Sequence, residues 1–216
     1  MSLVIFDLDG TLIDSKLDLV HSVNAARGHL GLGPIPEELV SSYVGNGAPV
    51  LMRRALGPEA SEADVARALE FFLKYYRAHM LDHTHLYPGV REALDRLLEG
   101  GAKMAVLTNK PVKFSRSLVE GLGLSGHFFQ IYGGNSFEQK KPDPIGIRTL
   151  VEESGVPRES TVMVGDSAVD VRTARNAGVV SCGVLYGFQP ETFADEPPDL
   201  LVNAMPELAE YVLSRA

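Results

Sequence analysis

Two carboxylates stand together where the first apolar run of the chain ends: Leu3-Val4-Ile5-Phe6 stops at Asp7-Leu8-Asp9-Gly10-Thr11-Leu12. A D-x-D-G by itself is also an ordinary turn composition. Three later segments change its weight. Met104-Ala105-Val106-Leu107 closes on Thr108-Asn109, Thr161-Val162-Met163-Val164 closes on Gly165-Asp166-Ser167, and Lys140-Lys141-Pro142-Asp143 lies between them. An acid pair, a hydroxyl, an ammonium and a further acid are the groups that a cation-assisted phosphoryl transfer requires.

A phosphate monoester repels an incoming nucleophile, so its catalyst needs a metal, fixed donors and a proton source for the leaving alkoxide. Asp7 fits the nucleophile, splitting hydrolysis into two displacements through an aspartyl-phosphate. Asp9 fits the general acid and base. To protonate an alkoxide it must hold a proton well above the usual carboxylate value of about 3.9, and a neighbouring carboxylate with partial burial pushes that way. A metal would keep Asp7 ionised instead. A tight turn at Gly10 would fold Asp9 back toward the phosphate. Mg²⁺ uses one or two carboxylates with waters and substrate oxygens, which suits Asp7 with Asp166, and Asp170 one turn later would orient that set. The Thr108 hydroxyl and nearby backbone N–H groups would hold the non-bridging oxygens. Lys141 would offset transition-state charge, and Gly165 permits close backbone approach.

These residues need elements that bring them to one rim. Strand-length apolar runs occur at 3–6, 103–107, 129–132, 161–164 and 179–185, separated mostly by helical periodicity, a pattern that predicts a parallel sheet with helices on both faces. Ligands of such sheets bind beyond the carboxyl ends of the strands, where Asp7, Thr108 and Asp166 all stand. The spacing predicts helices over 89–99, with Val90, Leu94, Leu97 and Leu98 as its stripe, over 144–155 and over 168–177. A last helix is expected after Asn203 as N-cap. Between Asp14 and Tyr87 no strand is expected, only helices interrupted at 31–36, 45–47 and 57–58, so residues 16–83 are expected to form a helical cap inserted into a core of 1–15 and 84–216. Its longest helix, about 61–80, should be capped by Ser61 toward Asp64 and carry Val65, Leu69, Phe72, Leu73 and Tyr76 as core packing.

Composition bounds the rest. The 216 residues are 45% hydrophobic and 22% charged, an ordinary globule of one or two domains, with a net charge of −8 at pH 7. That acidity argues against nucleic acid, which needs a basic stripe, and it requires local cations to draw an anionic ester into the cleft. No run reaches the roughly 20 residues that span a bilayer, so no membrane partner and a cytoplasmic location are expected. Cys182, the single cysteine, is expected to be buried and without a catalytic role. His79, Asp82, His83 and His85 could suggest zinc, but their loose spacing reads as a surface cluster.

Together the segments resemble the four motifs of the haloacid dehalogenase superfamily, and within it the phosphoglycolate phosphatase-like group, over nearly the whole chain. Asp7 to Leu12 matches the first motif, Thr108 the second, Lys141 before Pro142 the third, and Gly165-Asp166-Ser167 with Asp170 the fourth. The resemblance implies a Rossmann-like core with a cap that opens and closes, Asp7 as nucleophile, and Mg²⁺ held by Asp7, Asp166 and the backbone carbonyl of Asp9. Leu8 and Asn109 would touch the substrate beside the motifs. Val44-Gly45-Asn46-Gly47 and Arg53-Arg54 look like the cap loop and following helix of that group, so Gly45, Asn46 and one of Arg53 or Arg54 would bind the substrate, the arginine meeting a carboxylate. Ala168-Val169 stands where many members carry Arg-Asn, a departure that bears on the substrate.

Within the family Asp9 disfavours dehalogenation, since a halide needs no acid, and Lys16 and Lys74, the lysines of the insertion, offer no evident Schiff-base site. The expected activity is an Mg²⁺-dependent phosphomonoesterase on a small metabolite, 2-phosphoglycolate first, with sugar phosphates, nucleotides or pyrophosphate as alternatives, in a monomer or homodimer. A phospho-accepting signalling module shares the acidic cluster but needs only about 120 residues in one domain. A silent binding protein would not retain every reactive group.

Overall fold

The computed structural model describes residues 1–215 and is built on a six-stranded parallel sheet. In chain order the strands are β1 (Leu3–Phe6), β2 (Ile13–Asp14), β3 (His85–Leu86), β4 (Lys103–Leu107), β5 (Gln130–Tyr132), β6 (Thr161–Gly165), β7 (Val180–Val184) and β8 (Leu200–Val202). The helices are α1 (Lys16–His29), α2 (Glu37–Tyr43), α3 (Ala48–Leu56), α4 (Glu62–His79), α5 (Val90–Glu99), α6 (Val112–Gly121), α7 (Ile145–Ser154), α8 (Ala168–Ala177) and α9 (Met205–Leu213). The large sheet has the order β5-β4-β1-β6-β7-β8, and β2 pairs with β3 in a separate antiparallel ribbon.

An uninterrupted apolar run such as Leu3–Phe6 is what a strand covered on both faces needs. Alternate side chains enter different layers. Leu3, Ile5, Ala105, Leu107 and Met163 pack with Ile147, Leu150 and Ala174 of α7 and α8, whereas Val4, Phe6, Val106 and Val164 pack with α5, α6 and α9. β1 lies between β4 and β6, so the chain leaves it on both sides and a crevice opens at its carboxyl end.

The four helices α1 to α4 lie between β2 and β3 in the chain, and residues of α1, α3 and α4 reach that end of the sheet. Ser61 caps α4 by accepting from the Asp64 N–H at 3.1 Å. Two short strands depart from the reading of 14–87 as strandless: Ile13 pairs with Leu86 and Asp14 with His85, tying the outgoing and returning chain together. Runs of two residues leave no period to detect. The same brevity, after Pro197-Pro198, hid β8. α9 starts one residue later than expected, with Ala204 at its N-cap, and Glu207 accepts from the N–H of Asn203 at 3.1 Å. Leu98 leaves the predicted α5 stripe and is 47% exposed, because Val90, Ala93, Leu94 and Leu97 already cover the inward arc. Cys182 is buried, and burial pushes its thiol up to about 12. No helix among the described residues is long and apolar enough to cross a membrane.

Candidate active site

Strand register sets the site. Phe6 is level with Val106 of β4 and Val164 of β6, so Asp7, Thr108 and Asp166 leave the sheet one or two residues later at one rim. Lys141 reaches the same rim from the connection between β5 and α7, and Asn109 holds it there. The Asn109 side-chain oxygen accepts from the Lys141 N–H at 3.0 Å, while its amide nitrogen donates to the carbonyls of Lys141 at 3.1 Å and Gly45 at 2.9 Å. Those bonds use both N–H groups of the Asn109 amide, so this side chain braces the site and leaves no free side-chain donor for a substrate.

Asp7, Asp166 and Asp170 present carboxylate oxygens within 4.8 Å of one another, all buried. Lys141 Nζ lies 2.6 Å from Asp170 and 2.9 Å from Asp7, the latter contact off the axis of a hydrogen bond, so that Asp7 Oδ1 keeps an uncommitted lone pair. Ser167 donates to the other Asp170 oxygen at 2.8 Å, and the Phe188 N–H donates to Asp166 at 2.7 Å. One ammonium faces three carboxylates. Burial, reinforced by Asp170 against the pull of Lys141, lifts the Asp7 pKa to about 6, and burial together with Asp170 and Asp7 raises that of Asp166 well above the usual range. For Lys141, burial pulls the ammonium down, but Asp170 and Asp7 outweigh it and keep it charged. Excess buried negative charge on hard oxygens is the environment a small divalent cation satisfies, so the residues present fit Mg²⁺.

Two glycines permit the assembly. Gly10 sits at φ +78°, and a Cβ there would lie 2.1 Å from the Asp166 carboxylate; a Cβ on Gly165 would lie 2.1 Å from Asp170. The turn around Gly10 is closed by the Leu8 carbonyl, which accepts from the N–H groups of Thr11, Leu12 and Ile13. The Leu8 side chain is fully buried in the core, so only its backbone can face a substrate.

Asp9 meets an ammonium rather than a second carboxylate. Lys110 Nζ contacts its two oxygens at 3.0 and 2.9 Å, and Ser15 donates to it at 2.5 Å. Lys110 also lies 4.4 Å from the Tyr76 ring centroid. Burial disfavours its charge, yet Asp9 and Tyr76 outweigh that and raise its pKa. Sequence reasoning missed Lys110, although its place directly after Thr108-Asn109 at a strand end was a usable signal.

Asp7, Asp9, Thr108, Asn109, Lys110 and Asp166 line one side of a cavity of about 50 Å³, and Val44, Gly45, Gly47, Leu51, Phe72 and Tyr76 close it from the helical side. The inner end of the α4 stripe is therefore also a cavity wall, not core packing alone. Gln189 donates to the carbonyls of Ser41 and Val44, and Tyr76 packs edge-on to Phe114 at 5.5 Å, so core and insertion are latched around the space. Asn46 is not among the lining residues.

Arg53 and Arg54 do not line this cavity. The inward face of α3 is Ala48, Leu51, Met52 and Ala55, which turns positions 53 and 54 outward. Arg53 pairs with Glu62 and donates to the Ala60 carbonyl, and both arginines line a separate depression with Ser42, Tyr43, Gly57 and Pro58. Arg53→Ala and Arg54→Ala should each change kcat/KM less than about twofold on any phosphate ester, as surface substitutions do; a selective loss on a carboxylate-bearing substrate in steady-state assays would restore the carboxylate-reading role.

An acid cluster at the switch point of a parallel sheet, facing a strand-end hydroxyl and two buried lysines under an inserted helical layer, defines a phosphoryl-transfer class of α/β protein. The chain belongs to the haloacid dehalogenase-like hydrolase family, whose model matches residues 4–184. It is 41% identical to the phosphoglycolate phosphatase of Chromobacterium violaceum over 97% of this chain and 95% of that protein. It is 39% identical to that of Vibrio parahaemolyticus over 98% and 96%. Among solved structures, a predicted phosphoglycolate phosphatase from Haemophilus somnus superposes with a TM-score of 0.92 at 32% identity, covering 98% of this chain and 97% of that one.

Proposed function

We propose that the protein is an Mg²⁺-dependent phosphatase of small organic phosphates, acting through an aspartyl-phosphate on Asp7, with 2-phosphoglycolate as substrate. The observation that carries the reading is the convergence of Asp7, Asp166, Asp170 and Lys141 in one buried cluster, of which Asp7 and Asp166 face the cavity between the sheet and the helical segment. Phosphatase relatives aligned along the full chain support it. The choice of 2-phosphoglycolate rests on those relatives, which carry that activity in their names.

Asp7, Asp166 and the Asp9 backbone carbonyl would hold the cation, with Asp170 orienting the set. Bound there, Mg²⁺ supplies charge neutralisation of the phosphoryl oxygens. An Asp7 oxygen attacks phosphorus as the bond to the leaving oxygen breaks, and Asp9 gives that oxygen its proton. Water then attacks the phosphorus of the acyl phosphate, Asp9 takes a proton from it, and inorganic phosphate leaves with Asp7 regenerated. Thr108 and the backbone N–H groups at the rim hold the non-bridging oxygens, and Lys141 stays between Asp7 and Asp170. Residues 16–83 act as the cap on a core of 1–15 and 84–216, hinged at the β2–β3 ribbon, with Asn109 and Gln189 as latches.

Lys110 gives the arrangement a route to specificity. An arriving anionic substrate competes for its ammonium, and transfer of Lys110 from Asp9 to the substrate frees Asp9 to carry a proton. Lys110→Met should lower kcat/KM by about 10²-fold, the scale for a lost charged donor in a dry site. A loss below about threefold in initial-rate assays would remove Lys110 from the mechanism.

The function is tested by phosphate release from 2-phosphoglycolate, a sugar phosphate and a nucleoside monophosphate at matched concentration, with and without Mg²⁺. Phosphoglycolate should be preferred, and chelation should abolish turnover. Thermal melts read the cation separately. Asp7 has a folded pKa of about 6 against 3.8 unfolded, so without cation the fold takes up a proton and gains stability as pH falls through that window. The rise in Tm with Mg²⁺ should be full at neutral pH and shrink below about 6; a rise independent of pH would place the cation elsewhere. Retention of one phosphate per chain without turnover would favour a phospho-accepting module.

A further inference from the structure

The histidines that stand close in the sequence do not form one cluster. His79 pairs with Asp82 at 2.7 Å, and His85 contacts the His83 carbonyl at 2.9 Å. His83 instead turns toward Asp18 and His21 of α1, and ligand atoms of these three residues lie within 4.8 Å of one another. The two rings are edge to face with centroids 5.5 Å apart. Among the described residues the imidazole hydrogen bonds belong to His79, His85 and His127, leaving the ring nitrogens of His21 and His83 uncommitted.

Asp18 is prepared in a way the other two are not. It is buried, and its Oδ2 receives the N–H groups of His83 and Thr84 and the Thr84 hydroxyl at 3.0, 2.9 and 2.7 Å. Oδ1 receives only the His83 N–H, at 3.1 Å, and keeps a lone pair. A carboxylate fixed by donors mainly on one oxygen, beside two exposed imidazoles, is a ligand set with its outer partners already in place.

We propose that Asp18, His21 and His83 form a transition-metal site, of the Zn²⁺ class, at the base of the helical insertion. Two imidazole nitrogens and one carboxylate suit a borderline cation with an open fourth position, whereas the all-oxygen cluster of Asp7, Asp166 and Asp170 suits Mg²⁺. The site joins α1, just after the outgoing strand β2, to the segment just before the returning strand β3. A bound ion therefore clamps the two chain segments on which the insertion is hung, and adds stability by binding only the folded form.

The test is equilibrium dialysis of the full chain against Zn²⁺ with Mg²⁺ in saturating excess, on the parent protein, His21→Ala, His83→Ala and a His127→Ala control, with metal content and Tm as readouts. The parent and the control should retain one zinc ion per chain and melt higher with zinc. Each substitution in the cluster should weaken binding by more than about 100-fold, beyond what an outer partner alone supplies, and cancel the rise in Tm. Both exposed histidines can be replaced without opening the core, and equal melting without zinc verifies it. Equal zinc uptake by all four proteins, or none by the parent, overturns the site.

Discussion

Asp7→Asn is expected to reduce phosphate release by at least about 10⁴-fold, the scale seen when a nucleophile is removed and only binding and electrostatics remain. The change is nearly isosteric, so the packing of the rim survives, but an amide oxygen neither attacks phosphorus well nor supplies a charge to the cation. It also removes one of three crowded carboxylates, two of which, Asp7 and Asp170, share the Lys141 ammonium. The variant should consequently fold at least as stably as its parent without Mg²⁺ while losing turnover, a combination that distinguishes chemistry from misfolding. Steady-state assays with melting curves check it; more than a tenth of parental activity in a folded variant would refute the nucleophile.

Asp9→Asn should cost about 10²–10⁴-fold in kcat on an alkyl phosphate, the range of a lost general acid. The loss should depend on the leaving group. A phenolic ester needs little help from a proton, so the penalty there should shrink at least tenfold for phosphoenzyme formation. Ser15 and one Lys110 contact can still reach the amide oxygen, but the amide NH2 then faces the Lys110 ammonium, so the dependence on leaving group, and not the loss alone, separates acid catalysis from displacement of the side chain. Equal losses on both esters in burst kinetics would assign Asp9 a purely structural role.

Much of this rim was legible because parallel strands buried on both faces must be written as apolar runs that end abruptly, and Asp7, Thr108 and Asp166 are the first polar groups after such ends. Register was not legible: nothing local states that β1 pairs with runs some 100 and 160 positions away, and only pairing turns separated carboxylates into a cluster. Lys110 was overlooked because a lysine after a strand resembles a solvated cation until the opposing Asp9 is seen. Tyr76 was hidden by degeneracy, since one helical stripe serves both core and cavity wall. Resemblance brought Arg53 and Arg54 toward the substrate, whereas the helical phase was readable and turns them outward, Ala48, Leu51, Met52 and Ala55 occupying the inward face of α3. His83 found its partners in α1, more than 60 residues away, where no local spacing points.

The central claim is covalent: the phosphoryl group passes through Asp7. Acid quenching during turnover of 2-phosphoglycolate with Mg²⁺, followed by peptide mass spectrometry, should find one phosphoryl group on the peptide containing Asp7, absent from Asp7→Asn. Turnover with no labelled peptide at any quench time, or with the label on another residue, would contradict it.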